Sequence, residues 1–508
     1  MMKTKISLYS YCSIICILLS NVALSQLISP TNSDISSIKL TVLDHYSKLG
    51  QKMKYDAAVF LLDNIEPHKS KDLQWVDKQG NDTGFKELNY PNYISALDNF
   101  KILKDSIKIK PKHIEIKDTD QISAKFLIEN IDSAFESWKN YPWAQSYSFE
   151  TFCKKILPYR SVTEPLQDWR KEYSWFVQSI ADRLGNSTNQ LDVCQQIMDR
   201  AGEFEFVQVR KDPLPLLGPR QLLFREQGSC PDIANLMVYT GRSLGLAMSF
   251  DFTPHWAASS SRHMWCALEK SDGSNISFDI SEFFTDNYNK RLGKVFRYTY
   301  EIQKNSMAAQ VALDSIPDTF LRSKTILDVT EKYVDTQDVK YTFGNTNSKY
   351  TYLSVFNKTN WEIIDWATMD ESGTSIFRKI GKNLVYLPLS GSKKIIAEPY
   401  PILVTKKDLV KILKPNKEHT FSCTLSRSNE TASIHKDNNP LKILNNKKYS
   451  LFYWDKGWVN IGESVASNSS VEFHGVPENA LFILAPETPS KFIRIFTINS
   501  LTDTITWY

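Results

Sequence analysis

Residues 228–234 read Gly-Ser-Cys-Pro-Asp-Ile-Ala and carry the strongest structural signal in the sequence. Gly-Ser makes a tight lead-in, proline suits the first turn of a helix, and an acidic residue is typical of that turn. Apolar residues then recur at helical spacing as far as Leu244, and Gly245 is a typical C-terminal stop. The sequence therefore predicts a helix that begins at Cys230.

Cys230 lies where a thiol can act as a nucleophile. The reactive form of cysteine is the thiolate, and the unsatisfied N–H groups at a helix N-terminus stabilise a negative charge. The usual alternative for a cysteine is a small buried core residue. A nucleophilic thiol also needs a base within hydrogen-bond reach and a third group that orients the base.

His263 and Asp279 are the predicted base and orienting acid. His263 opens a strand-like run at 263–269, Asp279 lies in the run 275–280, and the turn signal Ser-Asp-Gly-Ser lies between the runs. An antiparallel hairpin centred on residue 271 would place His263 opposite Asp279 on one face of a sheet. A two-residue turn misses this register by a few residues, so a bulge or an asymmetric loop is expected.

These three segments resemble the Cys, His and Asp motifs of the transglutaminase-like superfamily. The second and third motifs are His-Met-Trp at 263–265 and Phe-Asp at 278–279, and the match covers about 215–300. The resemblance implies a papain-like fold in which Cys230 attacks an acyl group, His263 acts as base and then as acid, and Asp279 orients the imidazole. Met264 departs from the family, where a small residue is commoner.

The flanking sequence has a looser resemblance to secreted bacterial proteins with transglutaminase-like domains. It rests on Leu-Pro-Tyr-Arg at 157–160, Glu-Pro-Leu at 164–166 and Asp-Trp-Arg at 168–170. The superfamily contains crosslinking enzymes, peptidases, amidases and inactive members, so the resemblance leaves the reaction open. It implies a peptide, protein or other amide as the substrate.

Several further residues are candidates for the site. His255 is the rival candidate for the base, and it or Trp256 could line the cleft. The side-chain amide of Gln221 or Gln227 could join the backbone N–H of Cys230 in an oxyanion hole. Three arginines could bind a substrate carboxylate: Arg160, Arg220 and Arg225.

The chain of 508 residues is too long for one hydrophobic core, and its composition is that of a folded protein. We predict an α+β protein with a helical N-terminal region at 26–200 and a transglutaminase-like catalytic core at 201–325. C-terminal β-sandwich-like modules are predicted at 326–435 and 436–508. Within the helical region, residues 101–117 fit either a strand or an exposed helix.

An internal repeat is the reason for predicting two β modules. The run 352–356 leading to Trp361 resembles the run 450–454 leading to Trp458, and the two tryptophans are 97 residues apart. Trp361, Trp454 and Trp458 could bind glycans or protein from the surface of these modules, or they could fill module cores.

Residues 1–25 are predicted to be a signal peptide. Two lysines precede a mostly apolar run at 6–19, and small residues at 23–25 offer a cleavage site, so the mature chain would begin near Gln26. The apolar run is shorter than the roughly 20 residues that span a bilayer, so we expect no membrane span. Cys16 would suit a lipid anchor, but Ile15 before it is bulkier than the small residue that lipoprotein signals usually have at that position.

Cleavage at that point changes the charge and the cysteine count. The formal net charge falls from +4 to +2 because two lysines are lost, and so weak a balance argues against nucleic-acid binding. An odd number of cysteines remains, so at least one thiol is unpaired or bonded to another chain. The five are Cys153, Cys194, Cys230, Cys266 and Cys423.

No metal-binding or nucleotide-binding motif is found, and no cofactor is expected. The sequence therefore predicts a secreted protein, extracellular or periplasmic, that acts as a cysteine-dependent amidase or peptidase, or as a transglutaminase-like acyltransferase. Water is the expected acyl acceptor because the sequence shows no segment that would exclude it in favour of an amine. The alternative is an inactive transglutaminase-like scaffold whose β modules bind a polymer or a cell surface.

Overall fold

The computed structural model describes most of the chain beyond the predicted signal peptide. The described residues are 34–257, 262–284, 292–344, 348–391, 395–426, 443–488 and 493–508. The predicted signal peptide at 1–25 and the predicted boundary between residues 435 and 436 lie outside these residues. Within the described ranges, no helix is both long and apolar enough to cross a membrane.

The N-terminal part is mainly helical and also contains a two-stranded antiparallel sheet. Its longer helices are α1 (Ile35–Lys48), α2 (Lys52–Asp63), α3 (Tyr93–Ser106), α4 (Ala124–Asn140), α5 (Arg170–Phe176), α6 (Gln178–Leu184) and α7 (Gln190–Ala201). Short helical segments lie at Asp118–Gln121, Phe149–Thr151 and Phe152–Ile156, the last a π-helix. The sheet pairs β1 (Lys69–Val76) with β2 (Lys110–Lys117). The region 101–117 thus contains the end of α3 and the whole of β2.

Helix α4 shows how the sequence builds this part. Ser123 caps its N-terminus by accepting a hydrogen bond from the backbone N–H of Phe126 at 3.1 Å. Leu127, Ile131 and Phe135 recur at helical spacing and are buried on one face. They join a hydrophobic cluster that also contains side chains from the helix beginning at Cys230. The N-terminal helices therefore pack directly on the element that carries the predicted nucleophile.

The central part is a helix packed on a five-stranded antiparallel sheet. Its helices are α8 (Pro219–Arg225) and α9 (Cys230–Ser243), and a short parallel pair, β3 (Glu205–Phe206) and β4 (Gln227–Gly228), leads into α9. The sheet has the order β7-β6-β5-β8-β9. Its strands are β5 (Met248–Thr253), β6 (His263–Glu269), β7 (Asn275–Phe278), β8 (Phe296–Tyr298) and β9 (Ile326–Asp328). Because β9 pairs with β8, this sheet extends three residues beyond residue 325, the predicted end of the core.

Helix α9 is the centre of the core. The predicted helix start at Cys230 and the stop near Gly245 are confirmed, and Gly245 has a positive φ of 69°. Every residue at 232–243 is buried. A helix that is buried on all sides lies in the core of a protein. The N-terminal helices and the five-stranded sheet cover this one.

The C-terminal part contains the same strand arrangement twice. Each repeat has one larger sheet and one two-stranded ribbon. In the first repeat the sheet has the order β12-β11-β14-β16-β17 and the ribbon pairs β10 with β13. In the second repeat the sheet has the order β20-β19-β22-β23-β24 and the ribbon pairs β18 with β21. The strands of the first repeat are β10 (Thr336–Thr342), β11 (Tyr350–Asn357), β12 (Asn360–Thr368), β13 (Thr374–Gly381), β14 (Leu384–Gly391), β15 (Ile395–Ala397), which pairs with β14, β16 (Ile402–Val404) and β17 (Val410–Ile412). Those of the second are β18 (Asn416–Ser426), β19 (Lys448–Trp454), β20 (Trp458–Val465), β21 (Ser470–Glu478), β22 (Phe482–Pro486), β23 (Ile495–Asn499) and β24 (Thr504–Trp507). The second repeat thus begins with β18, which the predicted boundaries assign to the first module.

The two repeats pack against each other through one hydrophobic cluster. It contains Tyr352 and Leu387 from the first sheet, Trp454 and Ile483 from the second, and Met307 from a short helix that precedes both. Trp361 and Trp458 pack on this cluster, and their ring centroids lie 5.7 and 5.1 Å from that of Trp454. The three tryptophans therefore contribute to packing between the repeats, and binding of a glycan or protein by this part of the chain stays a prediction.

The described chain is 30% helix and 33% strand. Helices dominate up to α9, and strands dominate after it. This segregation corresponds to the predicted α+β class.

Candidate active site

The N-terminus of α9 holds Cys230 in a fixed turn. Asp232 Oδ2 accepts hydrogen bonds from the backbone N–H of Ser229 at 2.9 Å and from its Oγ at 2.5 Å. These bonds tie the residue before Cys230 to the first turn of the helix. Cys230 is half-buried and occupies the first position of the helix. Backbone N–H groups at this position have no hydrogen-bond partner within the helix.

The structure brings the three predicted site residues together in one row. Cys230 Sγ lies 3.8 Å from His263 Nδ1 and 3.5 Å from the carbonyl oxygen of Met264. On the other side of the imidazole ring, His263 Nε2 lies 3.6 Å from Asp279 Oδ2. The side chains of His263 and Asp279 are 21% and 17% exposed. A sulfur, an imidazole and a carboxylate therefore follow one another at a half-buried position, while their catalytic roles stay predictions.

The register of the hairpin differs from the predicted one. Strands β6 and β7 pair Cys266 with Phe278, so the continued register would place Trp265 opposite Asp279. His263 and Asp279 are therefore diagonal neighbours on one face, not directly opposed residues. Of the two expected devices, a bulge or an asymmetric loop, the described pairing of β6 and β7 contains no bulge, and residues 270–274 connect the strands evenly about residue 272. Diagonal neighbours lie on the same face of a sheet without any bulge. They are farther apart than directly opposed residues, and a histidine side chain is long enough to span that distance.

A tight turn after β7 orients the Asp279 carboxylate. Its Oδ1 accepts hydrogen bonds from the backbone N–H and Oγ of Ser281, at 2.8 and 2.5 Å, and from the backbone N–H of Glu282 at 3.2 Å. The backbone N–H of Asp279 donates to the carbonyl oxygen of Glu282 at 3.1 Å. Because Oδ1 is engaged in the turn, Oδ2 is the oxygen directed to His263.

The two titratable groups shift each other toward their charged forms. Burial lowers the pKa of His263, but contacts with Asp279 and Cys230 outweigh burial and raise it to about 9. Burial raises the pKa of Asp279, but contact with His263 and the hydrogen bonds from Ser281 and Glu282 outweigh burial and lower it to about 2. At neutral pH the pair is thus an imidazolium beside a carboxylate.

Aromatic rings surround the imidazole. The ring centroids of Trp256, Trp265 and Phe284 lie 6.0, 5.6 and 6.3 Å from that of His263. Trp265 is fully buried, and its Nε1 donates a hydrogen bond to the hydroxyl of Tyr333 at 2.9 Å. These rings restrict rotation of the His263 side chain and reduce its contact with water.

His255, the rival candidate for the base, faces the first C-terminal repeat. Its Nε2 lies 4.0 Å from Glu362 Oε2 in β12. The loop that carries it is anchored on the same repeat, because Asn357 Nδ2 donates a hydrogen bond to the carbonyl oxygen of Trp256 at 2.9 Å. Ala257, the next residue, is buried in that repeat's core. Of the two histidines, His263 is the one placed beside Cys230.

The candidate oxyanion donor Gln221 is engaged in packing contacts. Its Nε2 donates to Glu87 Oε1 at 2.6 Å, and its Oε1 accepts a hydrogen bond from the backbone N–H of Gly218 at 2.7 Å. Gln227 is half-buried in β4, three residues before Cys230. The oxyanion donors that remain as candidates are the side chain of Gln227 and the backbone N–H of Cys230.

The arginines predicted to bind a substrate carboxylate are paired with acidic residues of the protein. Arg160 is buried with Asp118 at 2.6 Å, and Arg225 pairs with Glu87 at 2.9 Å. Arg220, which is more exposed, pairs with Glu172 at 2.7 Å. Releasing Arg160 or Arg225 from its ion pair would leave an uncompensated buried charge, so the pairing disfavours these two arginines, and substrate binding by any of the three stays a prediction.

Sequence reasoning missed Arg210, whose Nε lies 2.6 Å from Asp232 Oδ2. The sequence indicates Asp232 only as a helix-start residue. An acidic residue in the first turn needs no buried partner, so nothing in the local sequence indicated that an arginine 22 positions earlier pairs with it.

All five described cysteines are free thiols. Cys153, Cys194, Cys266 and Cys423 are buried, whereas Cys230 is half-buried. Burial raises the pKa of the first four, to about 12 for Cys153 and Cys423. No group of three or more His, Cys, Asp or Glu side chains suited to a metal ion occurs among the residues that the structure describes.

Neither a protein-family model nor a curated protein matches the chain. Among solved structures, it is similar to a candidate cysteine protease from Cytophaga hutchinsonii, with 15% identity and a TM-score of 0.20 over 41% of this chain and 58% of that one. It is also similar to the transglutaminase of red sea bream, with 10% identity and a TM-score of 0.19 over 78% of this chain and 75% of that one. The chain thus spans little more than half the length of the Cytophaga protein. At these scores the likenesses assign neither a fold family nor an activity.

Proposed function

We propose that the protein is a thiol-dependent acyl transferase or hydrolase that acts on a peptide, protein or other amide through Cys230, His263 and Asp279. In this proposal α9 and its sheet form a papain-like core. The row from Cys230 Sγ to His263 Nδ1, and from His263 Nε2 to Asp279 Oδ2, at 3.8 and 3.6 Å, is the observation that carries the proposal.

The first step is acylation of Cys230. A pKa of about 9 keeps His263 protonated at neutral pH, so its imidazolium stabilises a thiolate on the neighbouring sulfur. The sulfur forms a bond to the amide carbon, and the carbonyl electrons move to oxygen. Collapse of this intermediate breaks the C–N bond, and the Nδ1 proton of His263 passes to the leaving nitrogen. The products are a thioester on Cys230, an amine and a neutral His263.

The oxyanion of the intermediate is stabilised by the start of α9. The backbone N–H of Cys230 is at the first helical position, and Pro231 supplies no N–H. The Cys230 N–H is therefore the helix-terminal donor nearest the sulfur, and it benefits from the positive end of the helix dipole.

The second step returns the enzyme to its starting state. A water molecule attacks the thioester carbon while neutral His263 accepts its proton, and the C–S bond breaks to give a carboxylic acid, a thiolate and an imidazolium. An amine in place of water would give a new amide. Water is the proposed acceptor because it is abundant, and an amine competes only where a site binds and desolvates it.

The proposal is tested with a peptide library and a labelled primary amine, followed by mass spectrometry. Wild-type protein is expected to give cleavage or deamidation, and C230A is expected to give neither. Incorporation of the amine in large excess over hydrolysis would overturn the choice of water. If wild-type protein forms neither product and Cys230 also fails to react with iodoacetamide, the enzyme proposal fails and the inactive scaffold becomes the better account.

We also propose that the protein is exported, because the predicted signal peptide precedes the described fold. Mass spectrometry of the mature protein in its native host is expected to find an N-terminus near Gln26. A retained N-terminal segment in the cytoplasm would contradict this location.

A further inference from the structure

Asp232 is a fully buried carboxylate in the first turn of α9. Besides the two hydrogen bonds from Ser229, it accepts one at Oδ1 from the backbone N–H of Leu217 at 3.0 Å. The same side chain thus holds the turn before Cys230 and the loop before α8. Gly228 leaves room for it, because a Cβ built on that glycine would lie 2.7 Å from Asp232 Cβ.

Arg210 balances this carboxylate. Its side chain is 9% exposed, and its Nε lies 2.6 Å from Asp232 Oδ2. Its Nη1 donates to Asp212 Oδ1 at 2.5 Å. Asp212 Oδ2 in turn accepts a hydrogen bond from Arg225 at 2.7 Å, and Arg225 pairs with Glu87. The charges of these side chains alternate along one row, which runs from Glu87 through Arg225, Asp212 and Arg210 to Asp232.

A buried negative charge close to Cys230 has an electrostatic consequence. Asp232 is two residues from Cys230 and bonds to the residue before it, so an uncompensated carboxylate there would oppose a thiolate on Cys230. Two other charged groups lie in a row with the sulfur: the imidazolium of His263 and, beyond it, Asp279. Arg210 is the cation in direct contact with Asp232.

We propose that Arg210 is a positioning residue of the site: by balancing the charge of Asp232, it allows that carboxylate to hold the Ser229–Cys230 turn without opposing the thiolate. This inference rests on the proposed function, because it concerns the reactivity of Cys230. Arg210 acts through Asp232 and does not contact the substrate in this account.

An electrostatic role and a structural role predict different results. If Arg210 and Asp232 only hold the turn, removing either partner loosens the site and lowers reactivity in both cases. If their charges act on the sulfur, R210M makes the thiolate harder to form and D232N makes it easier to form. The two substitutions then shift the pH dependence of Cys230 reactivity in opposite directions.

The test measures the rate of iodoacetamide labelling at Cys230 from about pH 4 to about pH 9, with peptide mapping to separate the five cysteines. R210M is expected to raise the midpoint of the pH profile by about one unit, D232N to lower it, and R210M/D232N to return it close to the wild-type value. R378M is the matched control, because Arg378 is 71% exposed and pairs with Asp338 in the first C-terminal repeat. It is expected to leave the profile unchanged.

The outcomes separate this inference from the proposed function. If wild-type Cys230 is labelled selectively and R210M leaves the midpoint unchanged, the role of Arg210 is overturned and the proposed function stands. If wild-type Cys230 is not labelled selectively, both are overturned. Circular dichroism reports whether each variant folds. Should R210M fail to fold, D232N decides alone: a downward shift supports the role, and an upward shift or none overturns it.

Discussion

His263 Nε2 lies 3.6 Å from Asp279 Oδ2 although the two residues are diagonal neighbours in the sheet rather than a directly opposed pair. The turn after β7 produces this contact, because it engages Oδ1 and leaves Oδ2 directed at the ring. The carboxylate therefore supports the positive charge of His263, and in the proposed function it also orients the ring.

Replacing Asp279 with asparagine removes that charge while keeping an oxygen for the turn. We expect D279N to lower kcat by about 100-fold or more, with little change in KM, because the ring loses its orienting acid. The pKa of His263, followed by NMR, is expected to fall from about 9. Activity within a few-fold of wild type would exclude this role.

The raised pKa of His263 predicts the alkaline limit of activity. Acylation needs a protonated His263 to deliver a proton to the leaving nitrogen, so kcat is expected to fall as the pH rises through about 9. The same contacts stabilise the fold fully below the unfolded-state pKa of about 6.5, and this contribution is lost as the pH rises through about 9. Undiminished acylation well above that pH would count against His263 as the acid.

The two histidines near the site make a matched pair of substitutions. H263Q is expected to lower turnover by at least about 100-fold, because it removes the base beside the sulfur. H255Q, which removes a contact with Glu362 away from the sulfur, is expected to stay within about threefold of wild type. The reverse order of effects would identify His255 as the base.

Selective alkylation tests the choice of nucleophile among the five thiols. At mildly acidic pH, iodoacetamide is expected to label Cys230 and to spare the four buried cysteines, whose pKa values are raised by burial. C230A should lose this labelling and retain the circular dichroism spectrum of the wild type. Fast labelling at Cys266 or Cys423 would show that the nucleophile is misassigned.

The C-terminal repeats are expected to fold without the catalytic core if the fragment includes the segment that joins them. Met307, Val311, Ile316 and Leu321 are buried in the cluster between the two sheets, and burial of each such side chain stabilises by roughly 1.5–3 kcal/mol. A fragment of residues 305–508 should therefore unfold cooperatively at a higher temperature than one of residues 326–508. Equal melting temperatures would show that this segment is dispensable.

Local signals explain which parts of the site could be predicted. The Gly-Ser lead-in, proline and acidic residue around Cys230 define a helix start within one turn, and strand β6 begins at His263, where the strand-like run begins. The orientation of the Asp279 carboxylate could not be predicted, because it depends on a turn formed after the strand ends.

Contacts between distant segments left no comparable signal. Arg210 reaches Asp232, and Arg225 reaches Glu87 over 138 positions, only after α8, α9 and the N-terminal region have packed together. The pairing of Arg225 with Glu87 could not be predicted for this reason, because the sequence does not show which acidic residue a given arginine meets.

The most direct test of the central claim is detection of an acyl-enzyme on Cys230. The protein is mixed with p-nitrophenyl acetate, quenched in acid and mapped by mass spectrometry, with H263Q and C230A in parallel. The account predicts a burst of one p-nitrophenol per chain, an acetyl group on Cys230 that hydroxylamine removes, a much slower burst in H263Q and none in C230A. Acetylation confined to lysines, or a burst that persists in C230A, would contradict it.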